Sequence, residues 1–123
     1  MTNFEKVAEF HEAFRLASGE EFKKDDLLDL RINLLEEEFK ELLDELKSSP
    51  VSRTKVLKEL CDLLYVAYGL GVAYGLPVDW GFDQVHKSNM SKLGRDGKPV
   101  YREDGKVIKG PNYKPPEFNE VLV

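Results

Sequence analysis

Two acidic clusters lie inside apolar helical patterns of this chain. The first is Glu37-Glu38-Phe39-Lys40-Glu41 and the second is Glu59-Leu60-Cys61-Asp62. In each, carboxylates fall at i and i+3 and so stack on one face of a helix. Leu34, Leu35 and Leu42 flank Glu38, which continues a row that should pack inward. Val56, Glu59, Leu63 and Val66 describe a similar stripe, with Asp62 at its edge. Like charges facing a core repel one another and lose solvation. A divalent cation would neutralise them. Carboxylates from two antiparallel helices can surround Mg²⁺ or Mn²⁺, and magnesium keeps waters and accepts substrate phosphate oxygens. Such a centre polarises a phosphorus–oxygen bond and helps to generate a hydroxide nucleophile. Taken singly, either segment is read more simply as a solvated glutamate-rich face. Two of them on consecutive helices, each on or beside an apolar stripe, favour the metal.

These clusters need helices to position them, and the punctuation of the chain supplies four. Thr2 and Glu5 form a Thr-x-x-Glu capping pattern, and Phe4, Val7, Ala8, His11, Phe14 and Leu16 follow at roughly helical spacing, so a first helix is predicted over Asn3 to Ala17, with Ser18-Gly19 as its stop. Asp25 or Asp26 caps a second, whose leucine stripe runs from Leu27 to Leu46 and ends at Ser48-Ser49-Pro50. Ser52 caps a third, weakened near its end by Gly69, Gly71 and Gly75, glycines that also permit close helix contact. Pro77 opens a fourth, predicted to reach about Leu93 before Gly94. Beyond it, Asp104-Gly105 between short β-prone runs signals a hairpin, and Gly110-Pro111 and Pro115-Pro116 mark an irregular tail. The expected fold is all-α: a four-helix bundle-type domain over 1–123, with its helical core at about 3–93 and a small C-terminal β-hairpin arm at about 94–123.

Composition narrows the function classes. The 123 residues are enough for one domain with a real core, and the charged fraction of 33% suits helices with solvated faces. The net charge of −5 argues against nonspecific nucleic-acid binding. Its distribution is uneven. From Lys87 to Lys114 the lysines and arginines outnumber Asp96, Glu103 and Asp104, and a basic segment beside an acidic metal-type cluster suits a metal-bound phosphate ligand, although a chance group of surface lysines is the plainer alternative. No apolar run approaches a membrane span, so no membrane partner is expected. The first residues lack the pattern of a signal peptide. Cys61 has no second cysteine to pair with, and its place between Leu60 and Asp62 predicts a buried thiol. Together these point to the cytoplasm.

Other chemistry is weakly supported. Asp83 and His86 form an i, i+3 pair, but a di-iron bundle needs Glu-x-x-His twice and there is no second copy. Trp80, Phe82 and Tyr65 could stack on a base, but aromatics at helical spacing are more often core. Tyr101 and Tyr113 lie in the arm, where they could close over a nucleotide or meet a partner subunit. Gly94-Arg95-Asp96-Gly97 is a turn and does not match a phosphate loop. No Ser/His/Asp or Cys/His arrangement is suggested.

The paired motif resembles a known family. Glu37-Glu38-x-x-Glu41 followed by Glu59-x-x-Asp62 is similar to the EExxE…ExxD signature of the all-α NTP pyrophosphohydrolases, which include MazG-type enzymes, dimeric dUTPases and phosphoribosyl-ATP pyrophosphohydrolase. Lys87-Ser88-Asn89-Met90-Ser91-Lys92 resembles the Lys/Asn stretch on that family's following helix. The resemblance implies hydrolysis of a nucleoside triphosphate to the monophosphate and pyrophosphate, with Mg²⁺ or Mn²⁺ as cofactor. It implies Glu38, Glu41, Glu59 and Asp62 as metal ligands. Glu37 would help to hold a second metal, or orient and activate the attacking water. Lys87, Asn89 and Lys92 would contact phosphates or sugar. It also implies a homo-oligomer, a dimer or a tetramer. Two competing readings are a non-catalytic helical module that binds nucleotide or a partner without turnover, and a phosphoribosyl-ATP pyrophosphohydrolase with the same chemistry on a different substrate.

Overall fold

The computed structural model describes residues 1–118; the end of the expected tail, residues 119–123, lies outside the described residues. Helix α1 (Asn3–Ala13) starts as its sequence dictates. The Thr2 hydroxyl accepts from the Glu5 amide at 3.1 Å, and the Glu5 carboxylate accepts from the Thr2 amide at 2.8 Å. It ends at Ala13 rather than at Ala17. Arg15 turns to φ 56°, and the amides of Leu16 and Arg15 donate back to the carbonyls of His11 and Glu12 at 2.8 and 3.2 Å. This is a Schellman closure with an arginine where glycine is usual, which is why the pattern of the sequence overran it. Gly19 instead serves the following loop, where the amides of Gly19 and Glu20 donate to the carbonyls of Val72 and Ala73 at 3.0 and 2.8 Å.

Helices α2 (Asp26–Leu46) and α3 (Arg53–Ala73) are capped where predicted. The Asp25 carboxylate accepts from the Leu28 amide at 3.1 Å, and the Ser52 hydroxyl accepts from the Lys55 amide at 3.3 Å. Gly75, at φ 63°, closes α3, with the Leu76 amide returning to the Gly71 carbonyl at 2.8 Å. Gly69 and Gly71 stay inside the helix and are buried.

Helix α3 packs against both α1 and α2. The most buried apolar residues are Val7 on α1, Leu42 on α2 and Val72, Ala73 and Tyr74 at the end of α3, where Phe22 stacks on Tyr74 with ring centroids 4.1 Å apart. Many leucines of the long stripes are not covered: Leu30, Leu57, Leu60 and Leu64 are exposed, Leu57 at 61%. An eleven-residue α1 cannot wrap two helices of 21 residues each, so flanks of both stay open. Cys61 lines an open cavity of about 170 Å³ between α3 and Asn3, Lys6 and Val7 of α1. It is exposed, which corrects the expectation of a buried thiol.

The chain divides into two compact units after Pro77, and α4 groups with the arm rather than with the helices before it. In this second unit α4 (Val78–Met90) gives way to turns at Ser91, short of the predicted Leu93. The tail is tied back onto it. The Lys114 amide donates to the Ser91 hydroxyl at 2.9 Å, the Gly110 amide donates to the Lys92 carbonyl at 2.8 Å, and Trp80 meets Phe118 edge-on at 5.9 Å. The predicted hairpin is present as β1 (Val100–Tyr101) and β2 (Val107–Ile108), antiparallel, pairing Val100 with Ile108 and Tyr101 with Val107. Its turn closes through the Gly105 amide on the Arg102 carbonyl at 2.9 Å, with Gly105 at φ 84°. The architecture is all-α with a small C-terminal hairpin, as expected. Among the described residues no single helix is long and apolar enough to cross a membrane.

The left-handed residues at the two helix ends make opposite predictions. Arg15→Gly should stabilise the fold by roughly 0.5–1 kcal/mol of relieved strain and so raise the melting temperature. Gly75→Ala should lower it by a similar amount. Calorimetric melting of the three proteins checks both signs, and a fall for Arg15→Gly would show that its side chain contributes more than its backbone loses.

Candidate functional site

Two turns of α2 and α3 face each other with Glu38 and Glu41 on one side and Glu59 and Asp62 on the other. One carboxylate oxygen from each of the four lies within 4.8 Å of the others. The spacing within each helix delivers this: residues three apart share a face, and the α2–α3 packing turns the two faces together. Glu38, Glu59 and Asp62 are half-buried, while Glu41 is exposed.

Burial, then the neighbouring Glu41, then Asp62 and Glu59, push the Glu38 carboxyl above its ordinary value. Burial also raises Glu59; Lys58 opposes this, and Glu41 and Asp62 add to it. Glu38 Oε2 and Glu59 Oε2 are buried without a hydrogen-bond partner. Hard, unpartnered carboxylate oxygens in a group of four are what Mg²⁺ or Ca²⁺ takes, so the residues fit a divalent cation. The chain also sets a cation of its own at the edge: Lys58 Nζ lies 2.7 Å from Asp62 and 3.6 Å from Glu59. Its side chain is largely exposed, so it screens the cluster only weakly.

The remaining sequence-predicted residues are placed differently. Glu37 is exposed and is not one of the four that converge. Lys87, Asn89 and Lys92 belong to the second unit. Lys87 and Asn89 are exposed and Lys92 is half-buried; Lys87 borders a cavity of about 300 Å³ with Ser88, Ser91 and Lys114. Asp83 and His86 are both exposed.

A second cavity, of about 330 Å³, opens beside the cluster and is lined by Glu38 and Asp62 together with Phe10, His11, Arg31 and Tyr65. His11 and Arg31 were not singled out for it by the sequence. The one signal for Arg31 is a charge set in the leucine row Leu27, Leu28, Leu30, Leu34 and Leu35; His11 looks like any polar residue on a mixed helix.

Residues 7–89 match the family model described as phosphoribosyl-ATP pyrophosphohydrolase. The chain is also 27% identical over 114 residues to Uncharacterized protein L479 of Acanthamoeba polyphaga mimivirus. That alignment covers 88% of this chain and 42% of the viral protein, so the chain spans less than half the length of this relative.

Charge relief at the cluster can be measured directly. Glu41→Gln should raise the melting temperature of the metal-free protein by roughly 2–6 °C and abolish any further rise on adding Mg²⁺. Glu38 and Glu59 hold protons more tightly in the fold than their ordinary value of 4.5 allows, so the folded state is penalised as pH rises through and above that value. The advantage of Glu41→Gln over wild type should be small near about pH 4 and larger near about pH 7. Lys58→Met should act in the other direction, lowering the metal-free melting temperature and enlarging the Mg²⁺-induced rise.

Proposed function

The chain belongs to the phosphoribosyl-ATP pyrophosphohydrolase family, and from that premise we propose that it hydrolyses a nucleoside triphosphate between the α and β phosphates, releasing the monophosphate and pyrophosphate with Mg²⁺ as cofactor. The coarse activity, a pyrophosphohydrolase on a nucleotide-like substrate, follows from the family. The observation that supports metal-dependent hydrolysis is the convergence of the four carboxylates within 4.8 Å.

Glu38, Glu41, Glu59 and Asp62 would hold the metal, Mg²⁺ or Mn²⁺. When bound, such a cation supplies charge neutralisation at phosphate oxygens and lowers the pKa of water. The residues of the chain do the rest. The half-buried positions of Glu38, Glu59 and Asp62 keep the acceptors aimed at one point and limit competing water. Glu37, exposed on the same turn, would help to hold a second metal, or orient and activate the attacking water. Lys87, Asn89 and Lys92 contact phosphates or sugar, an assignment that stands on the sequence motif alone. The open apolar flank of α3, with Leu57, Leu60 and Leu64, supports a homo-oligomer, a dimer or a tetramer.

Phosphoribosyl-ATP is the second reading, favoured by the family description itself. Pyrophosphate release from a panel of ribo- and deoxyribonucleoside triphosphates plus phosphoribosyl-ATP, with Mg²⁺ and with chelator, separates the two. Metal-dependent release from one or a few triphosphates is expected. Release from phosphoribosyl-ATP alone would transfer the assignment to it. Folded, metal-binding protein that releases nothing would be a nucleotide-binding module without turnover. Glu38→Gln and Asp62→Asn should each abolish turnover with helicity intact; retained turnover in both would sink the metal assignment.

A further inference from the structure

Helix α2 is buried at two positions only, Arg31 and Leu42. Glu38 lies between them, seven residues after the first and four before the second. These two residues therefore hold the helix on either side of its carboxylates. Leu42 is an ordinary apolar contact, and Arg31 is not. The arginine is 7% exposed, and its Nη2 donates to the Val66 carbonyl of α3 at 2.9 Å. Its Nε is enclosed and without a partner, and among the described residues no carboxylate pairs with it. Enclosing a charge with so few partners destabilises a fold. An aliphatic side chain would serve stability better at this place.

What the arginine supplies is direction. Aliphatic side chains such as Leu34 and Leu35 on α2, or Leu63 and Val66 on α3, pack in several alignments at similar energy, whereas a polar group in an apolar seam accepts few. Nη2 reaches the Val66 carbonyl over Gly69, where a Cβ would collide with Nη2 and stand 3.1 Å from Cζ. The same Cβ would stand 3.3 Å from His11 Nε2. His11, 3% exposed, is itself fixed by Nδ1 donating to the Ala17 carbonyl at 2.7 Å. Side chains from α1 and α2 thus close on a gap in α3.

That point is in step with the carboxylates. Arg31 precedes Glu38 by seven residues on α2, and Gly69 follows Asp62 by seven on α3. On both helices this is about two turns, roughly 10 Å. Two helices fixed at one level arrive at the next in a set alignment. Magnesium tolerates little error there, since it demands near-octahedral oxygens at about 2.0–2.1 Å.

We propose that Arg31 is a positioning residue for the metal centre: by bonding Val66 over Gly69 it sets the alignment of α2 on α3 in which Glu38 and Glu41 meet Glu59 and Asp62. The role requires no contact with metal or substrate. The proposal rests on the metal reading above and adds a residue to it.

Two effects of opposite sign separate this role from a merely structural one. Arg31→Met keeps the length of the side chain and removes its charge and its bond, so the melting temperature should hold or rise. Mn²⁺ affinity of the same variant should fall on the order of tenfold, the scale for a group that orients metal ligands. It is followed by the EPR signal of the free ion, in full-length protein without nucleotide. Loss of a nearby positive charge would by itself tighten cation binding instead. Arg31→Lys, which keeps a donor for the Val66 carbonyl, should recover most of the affinity. Affinity is the deciding quantity and is measured well below every melting midpoint. Unchanged or tighter binding in Arg31→Met, or a loss that Arg31→Lys does not recover, would overturn the proposal. Where Arg31→Met does not fold, Gly69→Ala displaces the guanidinium from the α3 side and should weaken Mn²⁺ by a similar factor; unchanged affinity there counts equally against it. Failure of the metal reading gives a different result, since the wild type then takes up no Mn²⁺. In that case the alignment is read in chelator, by oxidative cross-linking of Glu41→Cys with Glu59→Cys in a Cys61→Ser background. Loss of most cross-linking on adding Arg31→Met upholds the role of Arg31, and equal cross-linking removes it.

Discussion

Everything at the candidate site depends on holding four carboxylates together against their own repulsion. Glu38 and Glu59 are pushed toward their protonated forms first by burial and then by their acidic neighbours. Nothing local compensates fully, since Lys58 reaches only Asp62 and Glu59, and from solvent. The opposing force is non-local. It comes from the α2–α3 packing, two capped helices of 21 residues whose contact outweighs the strain at one level of it. A fold that tolerates such a cluster gains nothing from it in the absence of a cation, so the cost is intelligible as preorganisation for one.

The same packing leaves many large apolar side chains exposed. Val7, Leu42, Val72, Ala73 and Tyr74 make a small core at the α1–α3 junction and beside α2. Leu57, Leu60 and Leu64 on α3 remain exposed. A chain of this size buries a modest share of its surface even when fully wrapped. Stability here leans on local devices that do not need a large core: the reciprocal Thr2–Glu5 cap, the Asp25 and Ser52 caps, and the closures at Arg15 and Gly75.

Local devices are also what the sequence displays best. The helix starts were legible because a cap is a matter of one side chain and an amide three residues on. The four carboxylates were legible because i, i+3 spacing fixes a face and consecutive helices with a short link pack antiparallel. Other features depend on information that neighbours in sequence do not carry. Arg15 ends α1 in a conformation that its residue type does not announce. The exposure of Cys61 follows from an open cavity left between α1 and α3, which no periodicity shows. The grouping of α4 with the arm rests on Trp80 meeting Phe118 and on Ser91 bonding Lys114, pairs far apart in the chain.

Arg31 and Gly69 are the sharpest case of such hidden information. Read alone, Arg31 interrupts a leucine stripe and Gly69 weakens a helix. Together they are lock and seat, since the guanidinium fits only where α3 has no side chain. Their common spacing of seven residues from Glu38 and Asp62 means that one register of α2 on α3 sets both the charge cluster and the seat of the arginine. A slip of one residue on either helix would rotate its contributions by about 100° and disperse both at once. The buried arginine thus acts on register. Its N–H groups accept a single alignment, with Val66 supplying the only carbonyl bond described for it, and that alignment is the one in which the carboxylates meet.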